Sequence, residues 1–148
     1  MYRTILLAYD GSQQGREALD QGAELASLCQ ARVYLFAVVA HELGVALAEA
    51  AAPSDLPERE YQEVRRVLTE GAEGLRRMGL SVETRLCMGN PAEEIGRMAR
   101  EVGADLIVVG HREQTVLARW WYGSVGASLL AHAPCSLLVA ISGTRPAR

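Results

Sequence analysis

Lysine is absent from this sequence, and all fifteen basic residues are arginine. That absence excludes a Walker A lysine, the strand lysine of a kinase, a Schiff base and a Ser-x-x-Lys pair. Basic residues are also outnumbered, 15 against 18 acidic, for a formal net charge of −3 and a pI near 5.6. No basic run occurs, so a nucleic-acid partner, which would require a clustered positive face, is not expected. Cysteine is scarce: Cys29, Cys87 and Cys135 are far apart, odd in number and outside any C-x-x-C pair. Neither a disulfide framework nor a metal site of the zinc type is indicated, and a reducing cytoplasm fits best. No apolar run approaches the ~20 residues of a membrane span. Met1 leads straight into a strand-like segment without a charged n-region and long h-region, so no membrane partner and no export are expected.

What remains is a chain of 148 residues, 49% hydrophobic and 22% charged, close to the globular average and suited to a single domain over residues 1–148. Its charge is uneven. Residues 1–50 are net negative, whereas residues 111–148 carry Arg112, Arg119, Arg145 and Arg148 against Glu113 alone. A bound anion would meet the C-terminal third.

Periodicity divides the chain into alternating elements. Thr4 to Tyr9 is a short apolar run that stops at Asp10-Gly11-Ser12, a strand followed by a turn. From Gln13 the spacing becomes helical, with Ala18, Gly22, Leu25, Ala26 and Cys29 on one face. Val33 to Val39 reads as a strand covered on both faces. Residues 40–56, Ala-rich with Gly44 and Pro53, read as a long connection. Pro57 opens a charged helix with Tyr61, Val64, Leu68, Ala72 and Leu75 inward, ending at Gly79. Ser81 to Met88 alternates, with Val82, Thr84, Leu86 and Met88 inward and Glu83, Arg85 and Cys87 on a wet face near the sheet edge. Asn90-Pro91-Ala92-Glu93 carries an N-cap, an N1 proline and a glutamate at the capping-box position. The helix it starts buries Ile95, Met98, Ala99 and Val102 and ends at Gly103. Leu106 to Gly110 is the strongest candidate for a central strand. Ser124 caps a last helix with Val125, Leu129 and Leu130, and Cys135 to Ala140 is a fifth strand. Five strands alternating with four helices predict an α/β fold, a doubly wound five-stranded parallel sheet with helices on both faces.

In such a sheet the ligand crevice lies beyond the carboxyl ends of the strands. The residues there are Asp10, Val38 to Ala40, Gly89 and Gly110 to Ser124. Asp10 serves either as an acceptor for a ribose or base or, with Ser12, as a helix cap. Gly110 and Gly123-Ser124-Val125-Gly126 offer backbone approach and a helix N-terminus to a phosphate, or else simply a turn and a cap. His111 and His132 lack a paired carboxylate in any motif, and neither Ser12 nor Ser124 has the glycines of a nucleophile elbow. No set of nucleophile, base and orienter is apparent, so efficient catalysis is not expected. Trp120-Trp121-Tyr122, in a chain with 5% aromatics, either packs a loop onto the sheet or covers a ligand or partner.

The chain resembles the universal stress proteins over nearly its whole length. The likeness rests on the opening strand with Asp10-Gly11-Ser12, on Gly89-Asn90-Pro91, on Ala104 to Gly110, and on Gly123-Ser124 ahead of Ala133 to Val139. It implies a Rossmann-like fold of the adenine nucleotide alpha hydrolase type, and a nucleotide site drawn from Ala8, Tyr9, Asp10, Val38, Val109, Gly110, His111, Arg112, Glu113, Gly123, Ser124, Val125 and Gly126. There Asp10 would meet the nucleoside, the main chain near Val38 would read adenine, and residues 110–113 with Gly123-Ser124 would wrap the phosphates of ATP, with Mg²⁺ accompanying them. It also implies a homodimer through residues 135–140, since a fifth strand at the sheet edge leaves backbone to be covered.

One position departs from the family pattern of Gly-x-x-Gly, nine residues, then Gly-Ser or Gly-Thr. The spacing is kept, but Glu113 stands where the second glycine belongs. A carboxylate ~4 Å from a phosphate charge at an effective dielectric near 20 is repelled by about 4 kcal/mol. Bridging Mg²⁺, Arg112 or Arg119, or an outward turn of the side chain would relieve this, and AMP would suffer it less than ATP. The resemblance therefore implies an adenine-nucleotide-binding stress-response protein. Glu113 favours the alternative, a family member that binds no ATP and serves as a protein interaction module.

Overall fold

The computed structural model describes residues 1–11, 13–40, 56–111 and 129–141. Strands β1 (Thr4–Ala8), β2 (Arg32–Ala40), β3 (Val82–Gly89), β4 (Leu106–His111) and β5 (Ser136–Ile141) form one parallel sheet in the order β3-β2-β1-β4-β5. Helices α1 (Gln13–Cys29), α2 (Leu56–Arg77) and α3 (Pro91–Val102) connect them, and residues 129–132 are helical ahead of β5. The alternation expected from periodicity is thus observed, and the connection at 41–55 lies outside the described residues.

The apolar strand runs have a direct cause in this layering. Successive side chains of a strand point to opposite faces, and here both faces are covered. On one face Ile5, Leu7, Leu35 and Val108 pack with Ala23 and Ala26 of α1 and Leu68, Ala72 and Leu75 of α2. On the other, Leu6, Phe36, Ile107 and Val109 pack with Ile95, Met98 and Ala99 of α3 and with Leu129. Phe36, the only phenylalanine of the chain, is fully buried there. Truncating it to alanine removes ~3–5 kcal/mol by the usual cost of deleting a buried ring.

α1 comes close to the sheet because of Gly22. A Cβ at that position would stand 2.5 Å from Leu7 Cδ2 and 3.5 Å from Val108 Cγ1. α3 begins as its sequence indicates: the Asn90 side chain accepts from the N–H groups of Ala92 and Glu93, and Pro91 follows. It ends on Gly103, whose φ of 64° lies in the left-handed region that glycine adopts without strain.

Three expectations need correction. Leu106 to Gly110 is an interior strand, but the middle of the five is β1, to which β2 and β4 both pair. Met88, expected inward, is 48% exposed, while Cys87, expected on a wet face, packs against the second core. The period-2 reading failed because β3 is an edge strand with a helix over each face, so neither face is uniformly wet. Leu129 is buried as expected, but Leu130 is 60% exposed.

At the amino ends of the strands, Asp105 ties β1 to β4. Its Oδ2 accepts from Arg3 N–H at 2.8 Å and its Oδ1 from Thr4 N–H at 3.1 Å, while its own N–H donates to Thr4 O at 2.9 Å. Hydrogen bonds to a charged acceptor each stabilise by ~1.5–3 kcal/mol, and partial exposure reduces this. Asp105→Ala should lower unfolding free energy by about 2 kcal/mol in urea titration, and Asp105→Asn by less, because one oxygen acceptor remains.

Candidate functional site

The strand order reverses direction at β1. From β1 the chain moves outward through β2 to β3 with α1 and α2 on one face, then returns through α3 on the other face to β4 and β5. The crossovers from β1 and β4 therefore diverge to opposite sides, which opens a crevice above the carboxyl ends of these two neighbours.

Register determines which residues meet there. Ala8 pairs with Phe36 on one side and with Val109 on the other. Val38 on β2 and His111 on β4 each lie two residues beyond these partners of Ala8, on either side of the point where β1 has ended and the chain passes through Asp10 into the Gly11 turn. Segments far apart in sequence thereby end beside one another at the carboxyl edge of the sheet. The β1–β2 ladder ends with Tyr9 N–H donating to Phe36 O at 2.9 Å. Backbone polar groups alternate sides along a strand, so those of Val38 point the same way as those of Phe36, toward the space that β1 leaves after Tyr9.

The side chains divide accordingly. Asp10 is exposed, Ala8 and Val38 are half-buried, and Val109 and Gly110 are buried. Tyr9 turns its ring away from the strand ends into the α1–α2 core, where Gly71 lets α2 approach it; a Cβ on Gly71 would stand 3.0 Å from Tyr9 Cε1. A ligand at the strand ends would thus meet Tyr9 through its main chain. Gly11, with a φ of 79°, turns the chain sharply after Asp10 and lets it run against Val67 of α2, whose methyls leave no room for a Cβ. This one glycine fixes the direction in which the β1–α1 turn presents Asp10. Arg112, Glu113, Gly123, Ser124, Val125 and Gly126 lie outside the described residues, as do Ser12, the Trp120-Trp121-Tyr122 cluster and the His111 side chain.

The structure also shows a side-chain cluster that the sequence did not reveal. At the carboxyl end of β3 the Cys87 thiol donates to Glu94 Oε2 at 3.4 Å, and Arg97 holds the same carboxylate at 2.5 Å while reaching Glu101 at 3.2 Å. Gly89 makes room for it, since a Cβ there would stand 2.9 Å from Glu94 Cγ. Burial, reinforced by the Glu94 carboxylate, pushes the Cys87 thiol up to about 11. The hydrogen bond from Arg97 holds Glu94 below the usual carboxylate range. The Glu94–Arg97 spacing of three was visible as a helix pair, but its meeting with Cys87 depends on how α3 leaves β3. Among the described residues no group of three or more His, Cys, Asp or Glu could hold a metal ion, and no helix is long and apolar enough to cross a membrane.

A groove of about 360 Å³ lies between α1 and α2, lined by Tyr9, Arg16, Asp20 and Glu70 among others. A smaller one of about 250 Å³ lies between α3 and residues 129–132. Both flank the helices, and the larger reaches Tyr9 and Val67 beneath the β1–α1 turn.

Comparison with known proteins agrees with this architecture. The profile of the Universal stress protein family matches residues 1–140. The chain belongs to that family. It is 31% identical over 147 residues to the universal stress protein YxiE of Bacillus subtilis, covering 94% of this chain and 99% of that one. A crystal structure of a universal stress protein family member from Burkholderia pseudomallei superposes with a TM-score of 0.71 at 33% identity, covering 93% and 95% of the two chains. Two further solved universal stress proteins share the fold. One is a complex with cAMP, with a TM-score of 0.70 at 24% identity over 93% of this chain and 96% of that one. The other is an Archaeoglobus fulgidus protein in complex with dAMP, with a TM-score of 0.68 at 23% identity over 93% and 97%.

The thiol cluster generates a pH-dependent test. A raised thiol pKa leaves little thiolate at neutral pH, and thiolate is the reactive form. With Cys29 and Cys135 replaced by serine, alkylation of Cys87 by iodoacetamide should rise with pH toward a midpoint near 11. In the Glu94→Gln variant the midpoint should move down, because the repelling carboxylate is gone and Arg97 remains.

Proposed function

We propose that this universal stress protein is a homodimeric, adenine-nucleotide-binding regulatory protein of the cytoplasm, with its nucleotide at the β1–β4 crevice. The observation that carries this reading is the register that pairs Ala8 with Phe36 and with Val109 at the point where the strand order reverses, so that Asp10, Val38 and the Gly110-His111 segment follow at the carboxyl ends of three neighbouring strands. An exposed carboxylate there is an acceptor suited to ribose hydroxyls. The adjacent main-chain donor and acceptor of Val38 are suited to the edge of a purine. Gly110, buried and without a side chain, lets phosphate approach the backbone. These three contributions match the three parts of a nucleotide, and two solved proteins of the same fold are complexes with cAMP and dAMP.

On this reading residues 110–113 and Gly123-Ser124 hold phosphate, with Arg112 and Mg²⁺ offsetting the Glu113 charge when the ligand is ATP. The protein on this reading acts by being occupied or empty rather than by turnover, in keeping with a sequence that offers no recognisable set of nucleophile, base and orienter. β5, uncharged from Ser136 to Ile141 and at the sheet edge, supplies the dimer contact.

A second reading follows from Glu113. If its charge excludes polyphosphate, the same fold is an interaction module whose partner meets the segment between Gly110 and Gly123. Calorimetric titration separates the two. Mg-ATP and AMP should both bind the nucleotide-free protein at micromolar concentration, and Asp10→Ala should weaken both. Glu113→Gly should tighten ATP at least tenfold, about 1.4 kcal/mol, and leave AMP nearly unchanged. No heat from either nucleotide with the unmodified protein would overturn the nucleotide reading and leave the module.

A further inference from the structure

The sheet has two edges, and they differ. Among the described residues, β3 and β5 each present one side without a neighbouring strand. Such a side is a template for another strand unless something blocks it.

Which groups of β3 face outward follows from one hydrogen bond. Val33 pairs with Val82, and Val33 N–H donates to Ser81 O at 2.9 Å. In a parallel ladder this means that Ser81, Glu83, Arg85 and Cys87 direct their carbonyls toward β2. Val82, Thr84, Leu86 and Met88 therefore direct theirs to the open side. Two of these four carbonyls are already engaged. Arg76, in the last turn of α2, donates from NH2 to Val82 O at 3.0 Å. Arg85 donates from NH1 to Thr84 O at 3.1 Å.

Arg85 is held in that position from three sides. Its NH2 donates to Glu83 Oε2 at 3.1 Å, and its guanidinium carbon stands 5.5 Å from the centroid of the Tyr34 ring on β2. The two arginines arrive from opposite faces, Arg76 from the α2 side and Arg85 from the face that carries Tyr34. An incoming strand must displace both to use consecutive acceptors, and charge-assisted hydrogen bonds are roughly twice as strong as the neutral ones it would offer. β5 itself differs: Ser136-Leu137-Leu138-Val139-Ala140-Ile141 contains no charged residue.

We infer that Arg76 and Arg85 close the β3 edge to strand addition, so that this chain self-associates by strand pairing only through β5. The first half stands on the β3 geometry alone, and the second rests on the β5 dimer proposed above. The consequence is a finite assembly. A chain that could pair at both edges would grow into an open row of sheets, whereas one open edge allows one twofold contact and then stops.

The test is sedimentation velocity from micromolar to several hundred micromolar protein. The variant Arg76→Ala/Glu83→Thr/Arg85→Thr removes both guards and the carboxylate that would otherwise be left facing a second copy. It should show a mass at least twice that of the unmodified chain, whereas Glu83→Thr alone, which keeps both arginines, should match the unmodified chain. An unchanged mass for the triple variant over the whole range overturns the inference. Should circular dichroism show that the triple variant does not fold, Arg76→Leu/Glu83→Gln/Arg85→Leu, which also removes both guards, decides by the same comparison: a raised mass supports it and an equal mass overturns it. The unmodified chain separately reports on β5. A mass near twice 16.0 kDa supports the dimer, and a mass near 16.0 kDa overturns the dimer while leaving the β3 comparison intact.

Discussion

Everything in this molecule is arranged around β1, a five-residue strand with an apolar side chain at four of its positions and both neighbours in parallel register. Ile5, Leu6 and Leu7 are almost completely removed from water and reach into both core layers. The two halves of the sheet share no other strand, so β2–β3 and β4–β5 are hydrogen-bonded to each other only through it, while the helices of both layers pack across the join. Where the chain leaves the sheet at Asp10, relative to Val38 and His111 on the neighbouring strands, is set by that register. A slip of one residue would turn every side chain of β1 to the wrong layer. The packing that excludes such a slip therefore also holds the crevice in shape.

Two ends of the same strand carry different duties. At the amino end Asp105 closes the β1–β4 junction with hydrogen bonds to Arg3 and Thr4. At the carboxyl end the ladder stops at Tyr9 and the chain turns on Gly11, so that β1 ends before its neighbours β2 and β4 do. The tyrosine that precedes Asp10 contributes its ring to the core, which anchors the turn from below. A rigid floor beneath the strand ends is what a small polar ligand requires, because the site is organised before the ligand arrives.

Much of this was legible in the residues. Continuous apolar runs of four to nine residues mark strands covered on both faces, and each of β1, β2, β4 and β5 was found from such a run. Asn90-Pro91 and Gly103 bounded α3 because caps are local chemistry, needing no knowledge of the rest of the fold. The failures share a cause. β3 misled because its alternation reflects an edge position between two helices, which only the strand order reveals. The Asp105 clamp joins residues 101 and 102 positions apart, and the Cys87–Glu94 contact depends on the angle at which a helix departs from a strand. For the candidate site, the positions of Asp10, Val38 and Gly110 at strand ends were readable, but their juxtaposition was not, since it is a property of register. The phosphate-side residues from Arg112 to Gly126 fall outside the described segments, and their assignment continues to rest on motif spacing and family membership.

The Asp105 clamp also has a consequence for how the chain is made. Synthesis runs from the amino end, so β1 leaves the ribosome about a hundred residues before its β4 partner and the carboxylate that fastens it. Until then one side of this apolar strand lacks its native neighbour, and its native contacts are among the most distant in sequence that the fold contains. Such long closures slow folding and keep sticky surface in view. The strand that organises the finished protein is thus the one in greatest need of protection while the protein is being born.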